Sequence, residues 1–310
     1  MVAGVLVKVK LGKMAEHYVG IDIGGTFVKG VLIQGEEVLI KTTKDTRDEK
    51  GQWQSSVAQI YWDLAGQCQG EIAGVGLSAP GIADSQNQTI TCMPGRLNGL
   101  EGFNWSNYLD HSVHVLNDAH AALMSESQWG VAKGCPNVVM LTLGTGVGGG
   151  LLIDGKLVQG FLQRAGHLGH ISIDCHNDQP DITGITGSLE DAIGECTLRN
   201  RSLGKFKKTK DLVAAYQTGE TWATYLWLKM IRSLALGIVS FCNTVSPEMV
   251  VLAGGVTAAG EKLLNPLAEF MALYEWRIDG HATPIKLARF EEFAGSIGAA
   301  LFARSRNYKS

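Results

Sequence analysis

The chain has 310 residues, 45% of them hydrophobic, with 27 lysines and arginines against 30 aspartates and glutamates and a formal net charge of −3. That length buries a sizeable core and suits two domains, and the lack of long like-charge blocks excludes the electrostatic footprint of a nucleic-acid or membrane-surface protein. The 6 cysteines, at positions 68, 92, 135, 175, 196 and 242, form neither CxxC pairs nor a regular spacing, which excludes a disulfide scaffold and fits a reducing cytosol.

The opening segment, Met1 to Lys13, is broken by Lys8 and Lys10 and is too short for a signal or a membrane span. It reads as a leading strand, or as an upstream start ahead of Met14. From Tyr18 the pattern YVGIDIGG, FVKGVLI, a Gln34-Gly35 turn and EVLIK predicts a β-meander. QSSVAQIYWDLAGQ reads as a helix, EIAGVGLSA and VHVL as short strands, and AHAALMSESQWG as a helix. After a short turn near Gly130 to Asn137 the opening pattern returns. LTLGTGVGGGLLIDGKLV from Leu141 aligns with IDIGGTFVKGVLIQGEEV from Ile21 at a constant offset of 120 residues, matching Gly24 with Gly144, Gly30 with Gly150 and Gly35 with Gly155. Agreement of that length indicates an internal duplication. SLEDAIGECTLRNRS and the apolar ATYLWLKMIRSLALGIVSFCN follow as helices, then strand EMVVLAG and helix AAGEKLLNPLAEFMAL, with Lys205 to Lys210 a solvated loop. Alternating elements predict α/β layering in both halves, hinged over a cleft.

Asp22-Ile23-Gly24-Gly25-Thr26 ends an apolar strand, and its glycines permit the close backbone approach that exposes N–H groups to an anion. Leu143 to Gly148 repeats the arrangement, with Gly146 in the turn. Either turn alone reads equally as a tight hairpin corner. As a pair at duplicated positions they suit a polyphosphate clamp, with Thr26 and Thr145 offering hydroxyls and Asp22 facing a metal through water. No GxxxxGK[ST] occurs, which disfavours the P-loop class. Ala253-Gly254-Gly255-Val256 lies between a strand and a helix, as an adenine or ribose contact or as a plain turn.

DIGGT at 22 to 26, SAPG at 78 to 81, LNDAHAA from 116, LGTGVGGG from 143, AGHLGH from 165, GSLE from 187 and LAGG from 252 together resemble the ROK family of sugar kinases and repressors, within the actin-like ATPase superfamily. The resemblance implies an actin-like ATPase (ribonuclease H-like) fold of two duplicated α/β domains around a cleft. Residues 1–130, joined by a C-terminal helix at 293–310, would form the first domain, and residues 131–292 the second. It further implies MgATP and a free hexose as substrates, Lys29 among the phosphate-binding residues, and a cytoplasmic homodimer without nucleic-acid or membrane partners. Asp118, the aspartate of the ND pair, becomes the general base, since a carboxylate in hydrogen-bond reach can take the proton of a weakly nucleophilic hydroxyl. Its position after VHVL is equally that of a helix N-cap. Asn117 is expected on a second hydroxyl, and His170, Glu190 and Asn98 are further sugar contacts. Read without the family, His170 is a satisfied loop residue and Glu190 a first-turn carboxylate favoured by the helix dipole.

The sequence departs from the family twice. Where most members hold a structural zinc with three cysteines and the GH histidine, the cysteine positions here are Asp181, Thr183 and Ser188. Those are hard, weak or non-ligating partners for zinc, so none is expected, and a substitute set from His167, His170, Cys175 and His176 would need a loop geometry that spacing alone does not supply. His167 stands where most members carry a sugar-binding glutamate, which opens the identity of the sugar. The expected activity is ATP-dependent phosphorylation of a hexose hydroxyl, as in a glucokinase; an N-acetylhexosamine kinase and a catalytically degenerate sugar-binding protein are the alternatives. Family repressors carry an N-terminal helix-turn-helix domain, and only 17 residues precede Tyr18, which disfavours that reading.

Overall fold

The computed structural model describes residues 16–48, 52–93, 95–181 and 183–307; the leading segment 1–13 and the last residues of the C-terminal helix expected at 293–310 lie outside them. The meander forms as β1 (His17–Ile23), β2 (Phe27–Gln34) and β3 (Glu37–Asp45), followed by α1 (Trp53–Ala65), β4 (Ile72–Ala79), β5 (Ile82–Ala83), β6 (Ile90–Cys92), α2 (Trp105–Leu109), β7 (Val113–Asn117) and α3 (Asp118–Gln128). The second half runs β8 (Val138–Leu143), β9 (Val147–Ile153), β10 (Lys156–Leu157), α4 (Leu189–Ile193), α5 (Glu195–Arg201), α6 (Thr209–Gln217), α7 (Thr221–Val245), β11 (Met249–Ala253), α8 (Glu261–Tyr274), β12 (Ile285–Leu287) and α9 (Ala294–Asn307).

The duplication is visible in topology. One sheet has the order β3-β2-β1-β4-β7 and the other β10-β9-β8-β11-β12, each an antiparallel meander continued by two parallel strands. The matched glycines Gly35 and Gly155 both turn their hairpins with positive φ, 59° and 72°, where a side chain would be strained. This is the duplicated α/β arrangement of the actin-like ATPase fold.

Central strand β1 is buried along nearly its whole length, as expected of an apolar run covered on both faces. One face meets α1, whose Trp53, Val57, Ile60 and Leu64 enter the first core. The other meets α9, and here small residues decide the geometry. A Cβ on Gly20 or Gly76 would land on the α9 backbone at Ser296 or Ala299, and one on Gly298 would land on the Ala121 carbonyl of α3. Glycines therefore let helix backbones reach the sheet and each other. Helix α7 is long and apolar enough to cross a membrane by length and composition, yet Leu226, Trp227, Met230, Leu234 and Ile238 are buried in the second core.

Two expectations differ in detail. SLEDAIGECTLRNRS breaks at Gly194, whose carbonyl accepts from Thr197 and Arg201, so it forms α4 and α5 rather than one helix. The lysine-rich loop is pinned rather than free, with Lys205 paired to Glu220, Lys208 to Glu195 at 3.0 Å, and Phe206 buried between them.

Candidate active site

Strand β1 delivers Asp22 to a cleft of about 510 Å³ whose walls include Asp118, Thr142, Gly254, Gly255 and Phe290. In the neighbouring strand β4, Ser78 lies in register with Asp22 and donates its Oγ–H to Asp22 Oδ1 at 2.6 Å. Burial raises the pKa of Asp22 to about 6; Ser78 opposes the rise, the Asp118 charge adds to it and Lys29 opposes it.

Asp118 is the first residue of α3. The N-cap is Asn117, whose Oδ1 accepts from the N–H groups of Ala119 and His120 at 2.9 and 3.3 Å while its Nδ2 donates to the Gly81 carbonyl at 2.9 Å. The sequence left the cap open between function and structure; the structure gives the capping to Asn117 and leaves the Asp118 side chain facing the cleft. Asp118 keeps solvent contact at the cleft, so the depth of protein around it, rather than loss of surface, disfavours its charge. That burial raises its pKa, against the opposing effects of the Ala119 N–H, Asn117 and Arg96.

The first glycine turn is held from behind, with Gly24 N–H donating to the Phe27 carbonyl at 3.0 Å and Thr46 Oγ–H to the Gly24 carbonyl at 2.7 Å. Gly25 and Thr26 are exposed. In the second turn the carbonyls of Gly144 and Thr145 accept from Glu195 and Cys196 at the start of α5, and Thr145 is exposed. Glu190 Oε2 accepts from Val147 N–H at 2.8 Å and packs where a Cβ on Gly146 would stand. Position 254 takes glycine on two counts: its φ is positive, 90°, and a side chain there would strike the Leu143 backbone. Lys29, opposite Asp22 in β2, has its Nζ 5.9 Å from the Phe293 ring centroid. Asn98 is exposed, and its carbonyl accepts from Trp53 Nε1 at 3.2 Å.

A row of imidazoles follows, with ring centroids 5.5 Å apart for His120 and His167 and 6.4 Å for His167 and His170. His120 is buried, and its ring nitrogen Nε2 lies 3.1 Å from the Ala165 carbonyl, which can only accept, so Nε2 carries the proton. Burial and then His167 lower its pKa to about 4. His167 is lowered too, by burial and then by His170, and its Nε2 is buried without a protein partner. His170 Nδ1 faces Asp181 Oδ2 at 3.9 Å, and among the described residues His170, Asp181 and Glu190 bring ligating atoms within 4.8 Å of one another. Cys175 and His176 are exposed and stand outside that group.

The group does not fit the family's zinc. It supplies one imidazole and two carboxylates, where a closed tetrahedral site needs a full set of soft or borderline ligands. At the cysteine positions, Asp181 Oδ1 is occupied by Thr183 N–H, Thr183 Oγ–H and Ile185 N–H at 2.8, 2.7 and 3.1 Å, which leaves only Oδ2 toward His170, and Ser188 caps α4 by accepting from Asp191 N–H at 3.0 Å.

Asp22, Asp118, Gly254 and Gly255 thus line one cleft, while His167, His170 and Glu190 form a second group beside the turn at 144–147. Three participants escaped the sequence: Ser78, His120 and Arg96. Ser78 and His120 sit inside motifs that drew attention to their neighbours; Arg96 has no local signal at all.

A family model described as ROK family matches residues 18–306. A glucokinase of Thermotoga maritima is 28% identical over 317 residues, taking in 93% of this chain and 97% of the relative. An N-acetylgalactosamine kinase, AgaK, of Shewanella sp. strain ANA-3 is 28% identical over 311 residues, with 92% and 96% covered. The crystal structure of a ROK hexokinase from Thermus thermophilus superposes with a TM-score of 0.84 at 27% identity, over 95% of this chain and 100% of that one.

Proposed function

The chain belongs to the ROK family and is a sugar kinase, and from that premise we propose that it transfers the γ-phosphoryl group of MgATP to a hydroxyl of a free hexose. The observation that carries this reading is Asp118 at the head of α3, turned into the same cleft as Asp22 and the glycines at 254 and 255. Asp118 takes the proton of the attacking hydroxyl. A carboxylate whose pKa is raised by its surroundings is a better base than a free one. The exposed turn residues Gly25, Thr26 and Thr145 meet the phosphates, with Gly24, Gly146, Lys29 and Asp22 supporting them, and the turn at Gly254 and Gly255 takes the adenosine. Magnesium enters with ATP as part of that substrate.

The sugar is held by His167, His170, Glu190, Asn98 and Asp118, with Asn117 mainly fixing the start of α3 through its bonds to Ala119, His120 and Gly81. Residues 1–130 with 293–310, and residues 131–292, close as two domains over the substrates, in a cytosolic homodimer without zinc. An N-acetylhexosamine is the second reading of the acceptor. It is favoured by His167, which can donate a hydrogen bond to an acyl oxygen where a glutamate could only accept, and by the similarity to an N-acetylgalactosamine kinase.

ADP release measured over a panel of hexoses and N-acetylhexosamines tests the reading. Turnover with at least one member is expected. Asp118→Asn should lower kcat by about 100-fold or more while nucleotide affinity persists, because an amide accepts no proton. A variant retaining more than about a tenth of the wild-type kcat removes Asp118 from the base role.

A further inference from the structure

The loop between β6 and α2 carries Arg96 over the first glycine turn. Its guanidinium covers Gly25: a Cβ built there would meet Nη2 first, with Cζ at 3.2 Å and Nη1 at 3.5 Å. No described residue accepts a hydrogen bond from that group or forms an ion pair with it. A fork of charged donors therefore lies against backbone with no acceptor among the described residues.

The loop is constructed around this placement. Gly95 and Leu97, on either side of Arg96, both have left-handed backbone, with φ of 87° and 52°, a conformation that costs a leucine energy. Leu97 is repaid by burying its side chain in the first core and by donating its N–H to Asp48 Oδ1 at 3.2 Å. The next residue is tied as well, through the Asn98 carbonyl and Trp53. Leu97 is anchored inward by its side chain and Asn98 by its carbonyl, and the Arg96 side chain is turned out over the turn.

Electrostatics extend the reach of that side chain. Arg96 acts on Asp118, holding its pKa down against burial, whereas the cation acting on Asp22 is Lys29. One guanidinium thus touches the first glycine turn and is felt by the carboxylate that faces the cleft.

We propose that Arg96 is a catalytic residue of phosphoryl transfer, its guanidinium holding the migrating group between the turn at Gly25 and the acceptor hydroxyl at Asp118. The proposal rests on the reading of the chain as an ATP-dependent sugar kinase. In the step, the sugar oxygen forms a bond to the γ-phosphorus as the bond from that phosphorus to the β,γ-bridging oxygen breaks. The bonding pair leaves with ADP, the hydroxyl proton passes to Asp118, and Arg96 donates N–H groups to the γ-phosphoryl oxygens without changing its own protonation. Charge in this transition state spreads over the equatorial oxygens, and a planar fork matches two of them where a lysine offers a single point.

The test compares Arg96→Ala and Arg96→Lys with the wild-type chain. With the best acceptor of the sugar panel, kcat should fall about 100-fold to 1,000-fold in both, as on loss of one preorganised donor, while the sugar KM stays near its wild-type value. Added ethylguanidinium should restore part of the loss in Arg96→Ala and none in Arg96→Lys. A kcat within about threefold of wild type, or a loss confined to the sugar KM, would overturn the proposal. A second readout does not depend on turnover: calorimetric affinity for inorganic tripolyphosphate should drop about tenfold in Arg96→Ala. Wild-type protein that phosphorylates no sugar would sink the kinase reading, whereas unchanged tripolyphosphate affinity would sink the role of Arg96 whatever the wild type does. Arg96 is exposed, so an unaltered melting temperature is expected and excludes misfolding as the cause.

Discussion

Two carboxylates sharing one cleft cannot both be charged without cost, and the groups around Asp22 set how firmly it holds its proton. Ser78 donates to Asp22 Oδ1 at 2.6 Å and so stabilises the charged form. Ser78→Ala should therefore raise the Asp22 pKa above its present value of about 6. The acid limb of kcat/KM should then move to higher pH by about one unit, because a carboxyl with a higher pKa is neutralised sooner on acidification. A limb that stays in place, or moves down, would show that Asp22 is not the group being titrated. The argument for His167 has the opposite sign. Burial and His170 lower its pKa, so the ring stays neutral below the ordinary value of about 6.5. The sugar KM should then rise only at pH values below about 6.5, and by more than the ATP KM. An unchanged sugar KM in His167→Ala would make it a loop residue. These residues were not equally legible in the sequence. Asp22, Asp118 and His167 stand in strings whose order carries their chemistry, whereas Arg96 reaches Gly25 through a fold contact between positions far apart in the chain, which no local pattern encodes.

Helix α3 owes its position to α9, and the two meet through absent side chains. A Cβ on Gly298 would coincide with the Ala121 carbonyl region, so Gly298→Ala must push the helices apart or bend one of them. A cost of about 1–3 kcal/mol is expected in urea unfolding, the usual range for an overpacked site. Because Asp118 begins α3, kcat should fall as well, while a control on an exposed helix position such as Glu269→Ala in α8 should leave it unchanged. Full stability in Gly298→Ala would show that the contact relaxes freely. Glycines at 20, 76 and 298 were visible in the sequence only as interruptions of apolar runs, since their meaning depends on which backbone lies opposite. The main strands and long helices were legible because alternation and apolar periodicity are local. The break at Gly194 was not, because the acceptor role of its carbonyl becomes apparent only once Thr197 and Arg201 fold back onto it.

At the scale of the whole molecule, the repeat read from a 120-residue offset became two sheets of matching strand order, because a repeated string of strand and turn signals needs nothing beyond itself to fold alike. What the repeat does not specify is how the chain crosses between its halves. It does so twice, after α3 and before α9, and one buried carboxylate ties both crossings. Glu126, fully buried near the end of α3, accepts from Val131 N–H through Oε2 at 2.9 Å, and through Oε1 from Arg289 and Phe290 N–H at 2.8 and 2.7 Å. Removing the acceptor would strand three backbone donors at the point where any hinge between the sheets must act. Glu126→Ala should cost on the order of 1–3 kcal/mol, because the three bonds are only part-buried and water can reach some of the donors left behind. Glu126→Gln should cost less, since its one remaining oxygen can still serve the pair at 289 and 290. Because Phe290 also lines the cleft, loosening this knot should weaken nucleotide binding along with stability. Urea unfolding and ATP KM measured on both variants check this. A Glu126→Ala protein as stable as wild type, with unchanged ATP KM, would mean that the crossings are held by the packing of α3 on α9 and not by this carboxylate.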